Sequence, residues 1–283
     1  MKRQDSPLVE LFIKEMELRN YSNRTIETYS EALFAIEKYC NKTINNIPTE
    51  EFKSFLHHRI TVDKISVSLI NQYISAYKIL QVDILKREWE PIKIKRPRRT
   101  KKLPVVLSKD EVERLIAVTK NIKHKALLML TYSAGLRLQE LQNIKPSAID
   151  SARMQVHVVQ GKGKKDRYSL LSIKTLEILR FYYKLEKPSC FLFESQLKKG
   201  QKLSETSLGN IVKKSAKKAG IKKQVSFHTL RHCFATHLLE NGVNLRLIQQ
   251  LMGHVSLKTT AGYLHLANIN PASVVSPLDS MDI

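Results

Sequence analysis

The chain has 283 residues, of which 42% are hydrophobic and 26% charged, as is typical of soluble globular proteins, and its length suits two domains. It has no apolar run of the roughly 18 residues that a membrane span needs and no apolar export signal, so we expect a cytoplasmic protein. Its 48 lysines and arginines against 26 acidic residues leave a net charge of +22, which favours a polyanionic partner. Because the basic residues occur in both halves, nucleic acid is favoured over a membrane surface.

Apolar residues at helical spacing, from Leu8 to about Trp89, predict four helices that pack as a small bundle. The first helix carries a stripe that includes Leu11 and Leu18. Ser22 to Thr25 offers caps for the second, Thr49 an N-cap for the third, and the fourth runs from about Val67 to Leu85. We interpret the tyrosines of these helices as core residues: Tyr29, Tyr39, Tyr73 and Tyr77.

A dense basic run with two prolines follows and predicts a linker over residues 93–105. Such basic runs often face solvent and have no binding partner. Between two helical segments of a very basic chain, however, this one is suited to cross a phosphate backbone. The candidate DNA-binding residues are Arg96, Arg98, Arg99, Lys101 and Lys102.

The second domain, residues 106–283, opens with a capping box in which Ser108 and Glu111 stand three apart. A helix stops at Gly135, and another begins near Leu136. Residues 155–171 suggest strand, turn and strand. The remainder, from Thr175 to about Ala267, suggests helices with breaks at Gly200, Gly220, Gly242 and Gly253. The predicted fold class is mainly α with a small β-sheet.

Two arginines stand in local patterns suited to phosphate. Arg137 follows Gly135 and opens a helix, where anions bind readily, and Glu140 lies three residues on, able to hold the guanidinium. Alone, this pair would be an ordinary surface ion pair. Arg231 lies one helical turn after His228, so both side chains can reach one ligand.

A histidine and a tyrosine complete the set. Asn244 and Gly253 bound a predicted helix, which places His254 in a defined turn just beyond its end. Tyr263 follows nine residues later, close enough for one turn to bring the two together. Each residue alone would more often be structural. Together they supply guanidiniums for phosphate, proton carriers and a candidate nucleophile.

The order and spacing of these residues resemble the tyrosine recombinase (phage integrase, Xer-like) family. The resemblance covers residue 106 to the end, and the helical N-terminal segment, residues 1–92, fits the family's core-binding domain more loosely. It implies a helical core-binding bundle followed by an α+β catalytic domain. The implied active-site residues are Arg137, Lys162, His228, Arg231, His254 and Tyr263. Lys164 and Lys165 stand beside Lys162 on the same turn, and Gly262 is smaller than the family pattern suggests.

The resemblance also implies a mechanism of site-specific DNA recombination. Tyr263 would attack the scissile phosphate and form a 3′-phosphotyrosyl link, while Arg137 and Arg231 stabilise the added charge. Lys162 would protonate the departing 5′ oxygen. His228 would take or direct the tyrosine proton, and His254 would bond a phosphate oxygen. No cofactor or metal is required.

The implied partner is double-stranded DNA with paired recombination sites. We expect a dimer on each site and a tetramer in the synapse, and a location at the nucleoid. Residues 272–283 form an unusually apolar tail, which either folds back or stays loose, or docks on a neighbouring protomer.

Three other functions compete with recombination. A metal site could use His228, His232, Cys233 and His237, although the spacing is not His-Glu-x-x-His and no carboxylate lies among them to act as a base. A DNA-binding regulator would not need Tyr263 as a nucleophile. A type IB topoisomerase would use nearly the same residues, and plasmid relaxation without a partner site would identify it.

Overall fold

The computed structural model describes residues 7–89, 103–159, 166–196 and 200–268. It divides into two compact units between Lys102 and Leu103, and each has its own hydrophobic core. Helices dominate both units, and the second also contains one small sheet. The predicted fold class is therefore confirmed. In the part of the chain that the structure describes, no helix is both long and apolar enough to span a bilayer.

The first unit contains the four predicted helices: α1 (Pro7–Leu18), α2 (Asn23–Cys40), α3 (Thr49–Thr61) and α4 (Val67–Ile79). A 3-10 turn (Ile44–Asn46) precedes α3, and a π turn (Leu80–Ile84) extends α4. Ser22 caps α2 by accepting from the Thr25 amide, as predicted. The predicted cap of α3 is wrong: Thr49 is its first residue, and Pro48 occupies the N-cap without a side-chain bond.

Aromatic packing fills the core of this unit. The Phe52 and Tyr77 rings stack with centroids 4.0 Å apart, and the Tyr77 hydroxyl donates to the Ile47 carbonyl at 2.9 Å. Tyr73 is also buried. The core interpretation is wrong for Tyr39, since this residue is 43% exposed and its ring meets Phe55 edge-on. The predicted stripe of α1 is also too wide, since Leu11 and Leu18 are exposed.

The second unit contains eight helices and three strands among its described residues. The helices are α5 (Lys109–Ala117), α6 (Ile122–Ala134), α7 (Leu138–Asn143), α8 (Ile173–Glu186), α9 (Glu205–Lys218), α10 (Phe227–Glu240), α11 (Leu245–Met252) and α12 (Leu257–Ala261). The strands are β1 (Ile149–Asp150), β2 (Gln155–Val158) and β3 (Arg167–Leu170). Helix α10 packs against α6 and α11 and so lies in the middle of the unit.

Local signals set several of these boundaries. Ser108 and Glu111 form the predicted capping box of α5. Gly135 ends α6 in the left-handed conformation at φ +58°, and a Cβ there would overlap the Phe234 ring, so only glycine fits. The next helix starts later than predicted, at Leu138, because Arg137 occupies its extended N-cap.

The sheet is antiparallel in the order β1-β2-β3, and Val158 pairs with Arg167 across the hairpin. The two predicted strands are confirmed, whereas the turn predicted between them lies largely outside the described residues. The prediction missed β1, because two residues are too few to show alternation. Arg167, expected in the turn, is instead the first residue of β3.

Candidate active site

Arg137 is held at the start of α7 by Glu140 and by the C-terminal end of α11. Its Nη1 donates to Glu140 Oε1 at 2.7 Å, and its backbone amide donates to Glu140 Oε2 at 2.7 Å. Its Nη2 donates to the Gly253 carbonyl at 2.8 Å. Glu140 therefore fixes the guanidinium, as the sequence predicts. These bonds use two of the five guanidinium N–H groups, which leaves donors for a ligand.

Arg231 lies in the interior, with its side chain 3% exposed. It projects from α10, and its Nη1 donates to the Gly135 carbonyl while its Nη2 donates to the Met252 carbonyl at 2.6 Å. Burial and the neighbouring Arg137 lower the pKa of Arg231 to about 9, so the guanidinium remains charged at neutral pH.

A third arginine, which the sequence analysis missed, belongs to the same cluster. Arg167 forms a two-pronged ion pair with Glu140, both N···O distances being 2.7 Å, and its Nε donates to the Leu251 carbonyl at 2.9 Å. Arg167, Arg231 and Arg137 thus each bind one of the three successive carbonyls at the end of α11. Cations are favourable there because a helix C-terminus carries unpaired carbonyls and partial negative charge.

Glu140 is the carboxylate at the centre of these arginines. Its burial opposes ionisation, but the bonds from Arg167 and Arg137 outweigh it and lower the pKa of Glu140 to about 2. One negative charge among three guanidiniums leaves an excess of two positive charges. Arg137 and Glu140 also line an open cavity together with His157, so a ligand can approach this charge from solvent.

His254 follows α11 directly, as predicted. Gly253 ends the helix at φ +60°, and the His254 amide donates back to the Gln249 carbonyl at 3.1 Å. Its Nδ1 pairs with the Thr260 hydroxyl at 2.9 Å, which leaves Nε2 for a ligand. Burial and then Arg231 and Arg137 lower the pKa of His254 to about 4, so the ring is neutral at pH 7.

Tyr263 follows α12 and is buried, with 6% of the residue exposed. Its ring packs with Phe234, Ile248 and Met252 in a small separate cluster. It also lies parallel to the His254 ring at 6.2 Å, so the turn brings the two residues together as predicted. Burial raises the pKa of the phenol, while Arg231 and Arg137 act in the opposite direction.

The hydroxyl of Tyr263 pairs with a histidine that the sequence analysis treated only as a possible metal ligand. His232 Nδ1 lies 3.0 Å from Tyr263 Oη. Burial, His228 and Arg231 lower the pKa of His232 to about 4, so the imidazole is neutral at pH 7 and can accept the phenol proton. His228 is exposed one turn earlier on α10, with its ring centroid 5.9 Å from that of His232.

The proposed metal ligands on α10 bind separate partners instead. His232 contacts Tyr263, and the Cys233 thiol accepts from the Leu107 amide at 3.2 Å. His237 bridges the Tyr132 hydroxyl at 2.8 Å and the Leu107 carbonyl at 3.0 Å. Within the described ranges, no group of three or more histidine, cysteine or acidic residues converges as metal ligands would.

Several predicted residues lie outside the described residues. These are Lys162 in the hairpin, the apolar tail 272–283, and the basic residues Arg96, Arg98, Arg99, Lys101 and Lys102. The structure does bring together Arg137, Arg231, His254 and Tyr263, with His228 at the edge of the group. Such a site can bind an anion and present a protonated tyrosine beside a neutral histidine.

Comparison with known proteins gives this arrangement a family context. The Phage integrase family model matches residues 105–269, and a Phage integrase N-terminal SAM-like domain matches residues 8–91. A tyrosine recombinase of Thermosipho africanus is 35% identical over 272 residues, covering 92% of this chain and 95% of that protein.

Solved structures share the fold. The crystal structure of XerA recombinase is 30% identical, with a TM-score of 0.55 over 92% of this chain and 94% of that one. A lambda integrase dimer bound to a core site is 19% identical, with a TM-score of 0.71 over 90% of this chain and 93% of that one.

Proposed function

The chain belongs to the phage integrase family of tyrosine recombinases and is a site-specific recombinase, and we propose that Tyr263 is its nucleophile. The observation that carries this proposal is the meeting of the Tyr263 hydroxyl with a neutral histidine beside a cluster that has excess positive charge. A phenol becomes a good nucleophile when a base takes its proton and the target is already polarised by cations.

The arginines supply the charge for the reaction. Arg137 and Arg231 hold the non-bridging oxygens of the scissile phosphate and stabilise the extra negative charge on phosphorus in the transition state. Both guanidiniums are fixed in advance by Glu140 and by the end of α11, so little reorganisation accompanies the reaction. Because these cations provide what a metal would otherwise supply, the reaction needs no metal.

The remaining roles follow the family pattern. His254 donates to a phosphate oxygen through Nε2, since Nδ1 is occupied by Thr260. His228, exposed at the edge of the site, directs the attacking group or the phosphate. Lys162 protonates the departing 5′ oxygen. The product is a 3′-phosphotyrosyl link, which conserves the energy of the broken bond and makes ATP unnecessary.

The substrate in this proposal is double-stranded DNA with paired recombination sites, which places the protein at the nucleoid in the cytoplasm. The lambda integrase relative is a dimer bound to a core site. By analogy we assign a dimer to each site and a tetramer to the synapse. Residues 1–92 act as the core-binding domain, residues 93–105 as a basic linker on the DNA backbone and residues 106–283 as the catalytic domain.

The nucleophile is tested by trapping the covalent intermediate. A binding duplex is selected from random-sequence DNA with the full chain and then synthesised as a set with single nicks at successive positions. Loss of the short fragment beside a nick prevents rejoining and traps the adduct. Tyr263→Phe is expected to bind these duplexes with unchanged affinity and to form no adduct, because the variant lacks the attacking oxygen.

Tyr183→Phe is the matched control, since that tyrosine is exposed on α8, and it is expected to form the adduct like the native chain. An adduct in Tyr263→Phe, or a native adduct that peptide mapping places on another residue, would contradict the assignment.

A further inference from the structure

Tyr263 has a defined hydrogen-bond partner, and it is not the histidine that the family pattern suggests. The Nδ1 atom of His232 lies 3.0 Å from Tyr263 Oη. His228, one turn earlier on α10, is exposed, and the described residues show no hydrogen bond between it and the phenol. We propose that His232, not His228, accepts the proton of Tyr263 when the tyrosine attacks DNA. This proposal rests on Tyr263 being the nucleophile.

Position and rigidity support this role. His232 is the residue after Arg231, so the same stretch of α10 places a proton acceptor at the nucleophile and a cation at the phosphate. Arg231 is anchored by the Gly135 and Met252 carbonyls, which fixes the backbone from which His232 projects. Proton transfer needs hydrogen-bond reach before it needs a matched pKa, and His232 already has that reach.

The charged and titratable groups around His232 keep it neutral. His228 and Arg231 face it from its own helix, α10. Tyr263 and His254 lie on the segment after α11, which packs against α10. Both neighbours on α10 disfavour an imidazolium, and burial acts in the same direction. A neutral ring with its proton on Nε2 has a lone pair on Nδ1, which is the atom that meets the phenol.

The proton balance of the step is complete. Tyr263 Oη forms a bond to phosphorus while the bond from phosphorus to O5′ breaks. The phenol proton moves to His232 Nδ1 and makes an imidazolium, and the O5′ atom takes a proton from a separate donor, for which we propose Lys162. Rejoining reverses each transfer, so His232 returns its proton to the tyrosine oxygen.

Because His232 is a weak base, it does not remove the proton of Tyr263 before a phosphate is bound. Without a phosphate, burial raises the pKa of the Tyr263 phenol, so proton transfer from it to an imidazole of pKa about 4 is strongly disfavoured. Tyr263 therefore stays protonated and unreactive. As the bond to phosphorus forms, the phenolic proton becomes strongly acidic, and a weak base is then sufficient to accept it.

The experiment combines His232→Phe with a more acidic nucleophile. In single-turnover cleavage of the nicked duplexes, His232→Phe should slow adduct formation by about 10²–10⁴-fold, the usual value of a lost base, with unchanged DNA binding. Replacement of Tyr263 by a ring-fluorinated tyrosine, which loses its proton more readily, should restore most of that loss in His232→Phe. The same fluorinated residue should accelerate the native chain little.

His228→Phe is the matched control on the same helix. If His228→Phe forms the adduct more slowly than the native chain, the fluorinated tyrosine should not restore its rate, because His228 does not accept the phenol proton. Cleavage by His232→Phe at the native rate would overturn the proposal. So would an equal acceleration of native chain and His232→Phe by fluorination, or rescue of His228→Phe alone. Mapping the native adduct to Tyr263 separates these outcomes from failure of the nucleophile assignment.

Discussion

At the scale of single residues, Glu140 organises the site through charge. Its two oxygens bind Arg137 and Arg167 at 2.7 Å, and Arg231 Nη1 lies 3.9 Å away. Breaking a buried network by removing one partner is expensive, because the remaining charges lose their compensation. Glu140 thereby allows three guanidiniums to occupy one small volume, two of which we assign to phosphate.

The depressed pKa of Glu140 predicts how stability depends on pH. A carboxylate whose pKa falls from 4.5 unfolded to about 2 folded stabilises the fold by about 3 kcal/mol above pH 4.5, and this contribution disappears as pH falls towards 2. Glu140→Gln should therefore lower the free energy of unfolding by roughly that amount at pH 7, and the difference from the native chain should vanish near pH 2.

Urea denaturation at several pH values measures this difference. Glu113→Gln is the control, since Glu113 is exposed on α5, and it should follow the native curve throughout. A constant difference between Glu140→Gln and the native chain at every pH would show that the effect of Glu140 does not depend on its charge.

At the scale of elements, the C-terminal end of α11 connects the parts of the site. Its last carbonyls receive the three arginines, and its terminal turn places His254 beside the Tyr263 ring. Gly253 is essential to this junction. A Cβ there would lie 2.7 Å from Arg167 Cδ and 3.1 Å from its Nε, so a larger residue must displace the arginine.

Gly253→Ala should therefore impair catalysis as well as stability. The strain of alanine at φ +60° costs about 1 kcal/mol, and displacement of Arg167 should slow adduct formation by about 10²-fold, the loss typical of misplaced groups. Gly220→Ala is the matched control, with φ +67° and no atom within 4 Å of its Cβ. It should lose similar stability and cleave at the native rate. If the two variants cleaved DNA at equal rates, the position of Arg167 would not matter to the reaction.

At the scale of the whole molecule, the net charge of +22 predicts strong, salt-dependent binding to DNA. The basic run in the linker lies outside the described residues, so its contacts remain a prediction from the sequence. Phosphate contacts provide affinity and register, whereas contacts with base edges provide sequence choice.

Arg98→Ala combined with Arg99→Ala should weaken binding to all DNA sequences alike. Each lost phosphate contact lowers the salt slope by about 0.9, so the double variant should lower it by about two. Titrations at several salt concentrations, with specific and unrelated duplexes, measure this slope. Lys174→Ala with Lys184→Ala removes the same charge from exposed positions on α8 and should change the slope less. A changed site preference with an unchanged slope would instead indicate base readout.

Much of the site could be predicted from the sequence because its signals are local. Gly135 and Gly253 mark the helix ends that place Arg137 and His254, and a glycine stop depends only on its own backbone and the preceding turn. The ion pair between Arg137 and Glu140 spans three residues. The resemblance to the recombinase family rests on the same local signatures. The roles of Lys162 and the linker arginines remain predictions.

Only the tertiary structure decided the rest. Arg167 meets Glu140 across 27 positions, and His232 meets Tyr263 across 31, so no periodicity or cap could pair them. A basic residue after a hairpin turn, or a histidine next to Arg231, is a weak signal by itself. The sequence determined which chemical groups are present and how each helix begins and ends, because those depend on near neighbours. Packing of α10 against the end of α11 decided which groups touch, because such contacts form only when distant segments are buried together.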